Sequence, residues 1–266
     1  MPSRTERIVD IVLALLAGVV FVVLYAPLII SALFSVVEVK RGVIQWDTAT
    51  LVWYGLLWEN QSILDAIRST LVVGVISVGL AVVLAIIFAL YVEWEGAIGQ
   101  RLIELVIYLP FLLPPIVTGL ALLVFFAGLG LDRNLLTVTI GHTIFVLAVL
   151  YRLVLTRLQA LPKTFVEASA DLGATRWQTL RYVLWPHLSS AVATGAILAF
   201  TLSFDETLIT VFLAGDQMTL PLRLWAMMRV GFTPEINALV TLLLLFSIAL
   251  TVLVGARLQT GNQRDD

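Results

Sequence analysis

Cysteine is absent from this chain of 266 residues. Its absence excludes disulfide bonds, thiolate metal sites and a cysteine nucleophile. Histidine is scarce as well, since His142 and His187 are the two in the sequence and no carboxylates cluster around them. We therefore predict no metal site, and each histidine is expected to be a hydrogen-bonded packing residue. Ser189 and Ser190 have no base at a recognisable spacing, so serine hydrolysis is not supported.

Charge is also sparse, because charged residues make up 13% of the chain and hydrophobic residues 60%, with a mean hydropathy of +1.02. This composition is typical of an integral membrane protein. The net charge of -2 and the lack of a basic patch argue against nucleic acid as a partner. The length leaves no room for a large soluble domain, so we expect a single transmembrane domain over residues 1–266, with a core of about 60–256.

Six apolar stretches are each long enough to cross a hydrocarbon layer of about 30 Å as a helix. The expected fold is therefore all-α and polytopic. No small-residue cleavage pattern ends the first stretch, which predicts a retained span. The predicted spans are Val9 to Phe34, Ala66 to Val92, Leu102 to Ala127, Leu136 to Leu155, Ser189 to Leu213 and Ile236 to Ala256.

The distribution of basic residues predicts cytoplasmic termini, because basic residues accumulate on the cytoplasmic side of membrane proteins. This orientation places ten of the sixteen inside, namely Arg4, Arg7, Arg101, Arg152, Arg157, Lys163, Arg176, Arg181, Arg257 and Arg264. It places Lys40, Arg41, Arg68, Arg133, Arg223 and Arg229 outside. The outer loops hold Trp46, Trp53, Tyr54, Trp58 and Trp225, which are expected at the headgroup interface.

A polar segment interrupts the apolar chain in the loop at 159–187, on the cytoplasmic side of the predicted topology. Pro162 and Lys163 end the preceding span, and Thr164 with Glu167 matches a capping box for a new helix. Gly173 is placed to end that helix, because glycine adopts the left-handed backbone conformation without a side-chain clash.

A second capping box, Thr175 with Gln178, predicts another short helix that runs toward Pro186. A unit of two helices and a tight turn can form a docking element for a soluble partner. The alternative is an amphipathic hairpin lying on the lipid surface. The residues expected to need a partner are Phe165, Val166, Ala168 and Leu172.

This segment resembles the EAA motif of the permease subunits of binding-protein-dependent ABC importers. That motif begins with Glu-Ala-Ala. Three further residues, a Gly and nine more residues follow, and the motif ends with Ile-x-Leu-Pro. The matching positions are Glu167, Ala168, Gly173 and Pro186, whereas Ser169 replaces Ala, Val183 replaces Ile and Trp185 replaces Leu. The residues implied in coupling to an ATPase are Glu167, Ala168, Ser169, Asp171, Gly173 and Pro186.

The resemblance extends into the C-terminal third, where the segments at 203–206, 220–223, 228–231 and 233–238 are similar to the second permease of spermidine/putrescine importers. It implies the MetI-like permease fold of a type I importer in the bacterial inner membrane. It also implies three kinds of partner, namely a second permease subunit, two cytoplasmic ATPase subunits and an extracytoplasmic solute-binding protein. No Gly-x-x-x-x-Gly-Lys-Ser/Thr loop occurs in the chain, so ATP and Mg²⁺ belong to the ATPase and this chain is expected to bind no cofactor and catalyse no reaction.

Two acidic residues, Asp205 and Glu206, fall inside the fifth predicted span. Each costs about 2.5–3.5 kcal/mol in the middle of a membrane, so they are expected to face a cavity or a partner helix. As a pair they can offer ligands to a cationic solute along the substrate path. The alternatives are a position at the outer water interface or bonds to the partner permease.

Three prolines, Pro110, Pro114 and Pro115, must distort the third predicted span and free backbone carbonyls. Such a distortion can lie beside a water-filled path, where Thr118 would be a lining residue, or it can be a simple helix kink.

Two classes of function are consistent with these patterns. The favoured one is a permease subunit for a small cationic solute, a polyamine above all, with opines, other organic amines, phosphonates and ferric ions as alternative cargoes. The other is a stand-alone secondary transporter or intramembrane enzyme, for which the acidic pair alone is thin support.

Overall fold

The structure is a computed structural model that describes residues 4–40, 43–93, 96–230 and 234–262. Arg41, Gly231, Thr233 and Arg264, which appear in the sequence analysis, lie outside these ranges. The described chain is almost entirely helical, as the sequence predicts. Its two short strands, β1 (Glu38–Lys40) and β2 (Val43–Gln45), form an antiparallel hairpin, which a single 3₁₀ turn (Trp46–Thr48) follows.

The helices within those ranges are α1 (Arg4–Phe34), α2 (Val52–Glu59), α3 (Gln61–Val92), α4 (Gln100–Leu112), α5 (Pro115–Gly128), α6 (Leu135–Gln159), α7 (Thr164–Asp171), α8 (Arg176–Gln178), α9 (Trp185–Asp205), α10 (Leu208–Leu213), α11 (Leu220–Val230) and α12 (Pro234–Asn262). A π-helical turn, Thr179–Leu184, joins α8 to α9. These three pieces form one continuous helix from Arg176 to Asp205.

Four helices in the described part of the chain are long and apolar enough to cross a membrane. They are α1 from Val9 onward, α3, α6 and the helix Arg176–Asp205, and the count rises to five if α4 and α5 together form one span. Helix α12 adds a shorter apolar stretch, Pro234–Ile248. A mostly helical chain with several candidate spans is thus confirmed, whereas the six predicted spans stay a prediction.

The chain divides into two compact units, the first built from Met1–Gln61 and Ala226–Asp266. In this unit α1 packs against α12, and the Ser31 hydroxyl donates to the Asn237 side chain at 3.2 Å. Helix α2 also packs on α12, and the Ser35 and Tyr54 hydroxyls are 2.6 Å apart. Every α1 side chain from Val9 to Tyr25 is exposed, as a lipid-facing apolar helix requires.

The second unit, Ser62–Trp225, is organised around α6. Helices α4, α9 and α10 pack on α6, which is buried along most of its length. Small residues allow close approach, as membrane helices require. Thus Ala81, Ala85 and Ala89 form a fully buried stripe at i, i+4 spacing on α3.

The third predicted span is not one kinked helix, because α4 and α5 meet at an angle of 111°. Leu113 is extended, and Pro114 cannot supply the N–H that would otherwise continue the helix. A simple proline kink was therefore the wrong alternative. The chain makes a sharp corner here.

The fifth predicted span is also interrupted, because α9 ends at Asp205 and Glu206 is extended before α10 begins. The prediction of an unbroken helix to Leu213 was wrong. Hydropathy drew one span because apolar residues stand on both sides of the interruption, whereas the break itself falls at the polar residues Asp205, Glu206 and Thr207.

Helix α10 fits between α5 and α6 because both carry glycine where it approaches. A Cβ added to Gly119 on α5 would lie 2.9 Å from the Phe212 ring and 3.1 Å from the Ile209 Cα atom. A Cβ added to Gly141 on α6 would lie 2.7 Å from Leu213 and 2.9 Å from the Ile209 side chain. The short helix is thus held in a slot that only glycine leaves open.

We expect Gly119→Ala to destabilise the protein by about 1–3 kcal/mol, because the backbone of α10 cannot yield to the new methyl group. Gly79→Ala is the matched control, since Gly79 lies on α3 with no atom within 4 Å of the added Cβ. Because alanine has a better helix propensity than glycine, Gly79→Ala should leave stability unchanged or raise it by up to about 1 kcal/mol. Thermal unfolding in detergent measures both, and equal effects of the two changes would contradict the slot.

Candidate functional site

Helix α7 begins the polar segment, but not through the predicted capping box. Its first residue is Thr164, and the residue before it, Lys163, already has helical angles and makes no side-chain cap bond. A capping hydroxyl must come from an extended residue that precedes the helix. Because Thr164 lies inside the helix, its box with Glu167 cannot form, and that prediction was wrong.

The turn after α7 forms as predicted. Gly173 has a φ of 77°, its N–H donates to Ala170 at 2.9 Å, and Ala174 donates back to the Ser169 carbonyl at 3.1 Å. Thr175 then caps α8, because its hydroxyl accepts from Gln178 at 3.3 Å. The Gln178 side chain accepts from the Thr175 N–H at 2.7 Å, which completes the capping box.

The second helix of the segment does not end near Pro186 but continues into the membrane-spanning helix. A proline inside a helix lacks an N–H and collides with the carbonyl four residues earlier. Here the wider π turn immediately precedes it, and Trp185 donates to Leu180, five residues back. The helix therefore passes through Pro186 without ending.

Two contacts fix α7 to its neighbours, and a third fixes His187, one of its contact residues, to α6. The hydroxyls of Ser169 and Thr179 are 2.7 Å apart, and both residues are buried. The rings of Phe165 and His187 stack with centroids 5.8 Å apart, and the Arg157 guanidinium donates to the His187 carbonyl at 3.0 Å. The sequence analysis noted only that Ser169 replaces an alanine of the motif and missed its hydrogen bond with Thr179, which lies ten positions away.

The outward face of α7 and its turn is apolar and uncovered. Phe165 and Val166 are 46% and 44% exposed, and Leu172 is 89% exposed. Ala168, Glu167 and Asp171 are exposed on the same short element. The predicted exposure of this segment is confirmed. We call the surface formed by Phe165, Val166, Ala168 and Leu172 the α7 face.

The two acidic residues at the break after α9 do not act as a pair. Asp205 is exposed, whereas Glu206 is 8% exposed. The Glu206 carboxylate accepts from the Ile209 N–H at 2.9 Å, and its carbonyl accepts from the Thr210 hydroxyl at 2.9 Å. Glu206 therefore caps α10, and of the two carboxylates only that of Asp205 is exposed.

His142, on α6, bridges the break from the other side. Its Nδ1 atom is 2.8 Å from the Ser203 hydroxyl, on the last turn of α9, and its Nε2 atom is 2.8 Å from the Thr210 hydroxyl on α10. The ring is 1% exposed. The expectation of a hydrogen-bonded packing residue is confirmed, although its position across a helix break could not be foreseen.

Thr118, predicted as a lining residue, is buried at the corner between α4 and α5. Its hydroxyl donates to the Pro110 carbonyl at 3.2 Å. That carbonyl lacks its helical donor, because the residue four positions later is Pro114. The Thr118 hydroxyl thus gives the Pro110 carbonyl the hydrogen-bond donor that it would otherwise lack.

A helical membrane protein with interrupted spans and a capped polar loop has the construction of a transport protein. Solved structures show the same fold. The bacterial ABC transporter for import of the acidic polysaccharide alginate superimposes with a TM-score of 0.74, covering 96% of this chain and 98% of that one at 19% identity. The MetNI methionine ABC transporter superimposes with a TM-score of 0.62, covering 77% of this chain and 96% of that one at 19% identity.

Sequence comparison identifies the family. Residues 81–260 match the family "binding-protein-dependent transport system inner membrane component", and the chain belongs to it. It is 32% identical over 250 residues to the Escherichia coli K12 spermidine/putrescine permease PotC, covering 92% of this chain and 94% of PotC. It is 32% identical over 241 residues to the E. coli putrescine permease PotI, covering 88% and 85% of the two chains.

This chain is therefore a multi-pass inner-membrane permease of a binding-protein-dependent ABC importer. It is a non-catalytic transmembrane subunit, which acts with ATPase and binding-protein partners.

The capping role of Glu206 predicts different outcomes for two substitutions. Glu206→Gln keeps an oxygen acceptor for the Ile209 N–H, so its cost in stability should be small. Glu206→Ala leaves that buried N–H without a partner and should cost about 1–2 kcal/mol, as loss of a helix cap does. Thermal unfolding of the two variants in detergent measures the difference, and equal destabilisation would show that the charge, not the cap, is what matters.

Proposed function

We propose that this permease forms half of the translocation path for a small organic cation, most simply a polyamine of the spermidine/putrescine class. The observation that carries the proposal is the exposed Asp205 carboxylate at a helix break within an otherwise apolar span. The names of PotC and PotI, similar over most of their length, support the same cargo.

The proposed topology has six spans with both termini in the cytoplasm. Helix α12, 29 residues and about 43 Å long, supplies the sixth span, and the bent pair α4–α5 supplies the third. The excess of basic residues on one side supports this orientation. It places the polar segment at 159–187 in the cytoplasm.

In this orientation the α7 face docks into a cytoplasmic ATPase subunit. An apolar patch rimmed by Glu167 and Asp171 is suited to a cleft in a soluble partner. The coupling residues would be those of the motif, with Gly173 setting the turn and Pro186 lying in the helix that receives the motion. The amphipathic hairpin on lipid remains the competing hypothesis.

The construction of the segment favours transmission of movement. The Ser169–Thr179 hydrogen bond and the stacked Phe165 and His187 rings attach α7 to the second helix. That helix continues without interruption to Asp205. A displacement of α7 would therefore move the membrane helix instead of being absorbed in a loose loop.

We expect Gly173→Asp and Glu167→Lys to abolish most solute-stimulated ATP hydrolysis and uptake. The first change strains a backbone with a φ of 77°, by about 1–2 kcal/mol, and the second reverses a charge beside the α7 face. Assembled complexes in liposomes provide the measurement.

Gly96→Asp is the matched control for this prediction. Gly96 also has a positive φ of 93° and open space around it, but lies between α3 and α4, outside the α7 face. It should leave ATP hydrolysis coupled to solute. Normal uptake by the Gly173→Asp and Glu167→Lys complexes would reject the docking role.

The substrate path is proposed to pass Asp205. The C-terminal end of a helix carries a partial negative charge, and a carboxylate there adds to the attraction for cations. About 27 Å of helix separates His187 from Asp205, so in the proposed orientation the carboxylate lies toward the outer end of the span. A cation released from an extracytoplasmic binding protein would meet it early.

We propose the remaining partners from the resemblance to polyamine importers. A second, different permease subunit would supply the other half of the path, and two ATPase subunits would bind ATP and Mg²⁺. This chain would bind no cofactor itself. Because specificity would be shared with the binding protein, the permease need only stabilise the cation in passage.

Asp205→Asn should lower the number of putrescine molecules moved per ATP hydrolysed by about ten- to a hundredfold, because a charge-assisted hydrogen bond to the cation is lost. Binding-protein-stimulated ATP hydrolysis should persist, since the ATPase contact is unchanged. Asp216→Asn is the control, because Asp216 is exposed but lies outside the span. An unchanged ratio of solute to ATP in the Asp205→Asn complex would remove this carboxylate from the path.

A further inference from the structure

The hydrogen bonds around His142 hold both sides of the helix break beside Asp205. Ser203 lies two residues before the carboxylate and Thr210 five residues after it, and one imidazole contacts both hydroxyls at 2.8 Å. In the described part of the chain, this is the side chain that spans the break. Its two bonds therefore set the separation of α9 and α10.

The protons in this network can be assigned. Thr210 has a single hydroxyl proton, which it donates to the Glu206 carbonyl at 2.9 Å. The bond between Thr210 and the ring must therefore use a proton on Nε2 of His142. In the neutral ring this leaves Nδ1 as an acceptor for the Ser203 hydroxyl, and each of the three hydrogen bonds then has one proton.

The network also determines where Asp205 points. Glu206 is fixed through its carboxylate to Ile209 and through its carbonyl to Thr210. Ser203 is fixed by His142. Asp205 lies between these fixed points, so rotation of the last turn of α9 would turn its carboxylate away from the exposed side.

We propose that His142 is a positioning residue for the cation path, which holds the α9–α10 break open so that the Asp205 carboxylate faces the passing solute. This inference rests on the proposed cation path at Asp205. His142 itself is buried and touches no solute. Its contribution is transmitted through Ser203 and Thr210.

Two conservative variants isolate one bond. Ser203→Ala removes the hydroxyl that donates to Nδ1, and His142→Gln keeps a donor for Thr210 but loses the acceptor for Ser203. Both lose the same hydrogen bond, so they should have the same phenotype. The expected loss is about two- to tenfold in putrescine moved per ATP hydrolysed by the complete reconstituted transporter.

Two controls remove hydroxyls that do not reach the ring. The first is Thr143→Val. Thr143 follows His142 on α6, and its hydroxyl donates to the Thr139 carbonyl at 2.7 Å. The second is Thr201→Val. Thr201 lies on α9, and its hydroxyl donates to the Ile197 carbonyl at 3.0 Å. Both controls should keep the ratio of solute to ATP at the level of the unmodified complex.

The double variant Ser203→Ala with Asp205→Asn separates positioning from stability. If Ser203 acts through the carboxylate, Ser203→Ala should lower the ratio no further in an Asp205→Asn complex. Assembly and binding-protein-stimulated ATP hydrolysis should be normal in all of these complexes.

Three results would overturn the inference. They are an unchanged ratio in both Ser203→Ala and His142→Gln, a loss that adds fully to that of Asp205→Asn, and failure of both variants to assemble. Failed assembly would show that the bond holds the fold instead of the carboxylate. The Asp205→Asn complex alone tests the cation path, so a failure there is distinguishable from a failure of the positioning role.

Discussion

A helix interrupted inside a membrane must satisfy its free N–H and C=O groups with protein, because lipid offers no hydrogen bonds. The second unit depends on how this is done at the two ends of α10. At the start, the Glu206 carboxylate accepts from Ile209, and at the end the Thr137 hydroxyl shares its proton between the Leu213 carbonyl at 3.0 Å and the Asn134 carbonyl at 2.8 Å. With both ends satisfied, a helix of six residues can lie buried beside α5 and α6.

The same constraint explains the corner between α4 and α5, where Thr118 donates to the carbonyl that Pro114 leaves free. At both interruptions a side-chain oxygen bonds with the freed backbone group, and close packing holds the geometry. The two interruptions meet across Gly119, where the backbone of α10 lies against α5. The irregular parts of the two spans therefore stabilise each other, with α6 as their common support.

Features encoded by short stretches of sequence could be predicted, and features that join distant residues could not. Hydropathy located the long apolar helices α1, α3 and α6, and Gly173 with the Thr175 capping box located the turn, because each signal lies within one stretch of sequence. The division of the acidic pair depends on the burial of Glu206 in the folded unit, which no local pattern reports, although its bonds to Ile209 and Thr210 are themselves short-range. The bond between Ser169 and Thr179 also required two helices to be placed first.

The mechanical connection between the α7 face and the helix break is the 30-residue helix from Arg176 to Asp205, about 45 Å from end to end. One end is joined to the α7 face by Ser169 and Phe165, and the other ends at the carboxylate proposed to meet the solute. The Ser203–His142 bond fixes that end to α6. On the proposed mechanism, ATPase closure and solute passage act on opposite ends of one rigid body, so each must influence the other by the same free energy.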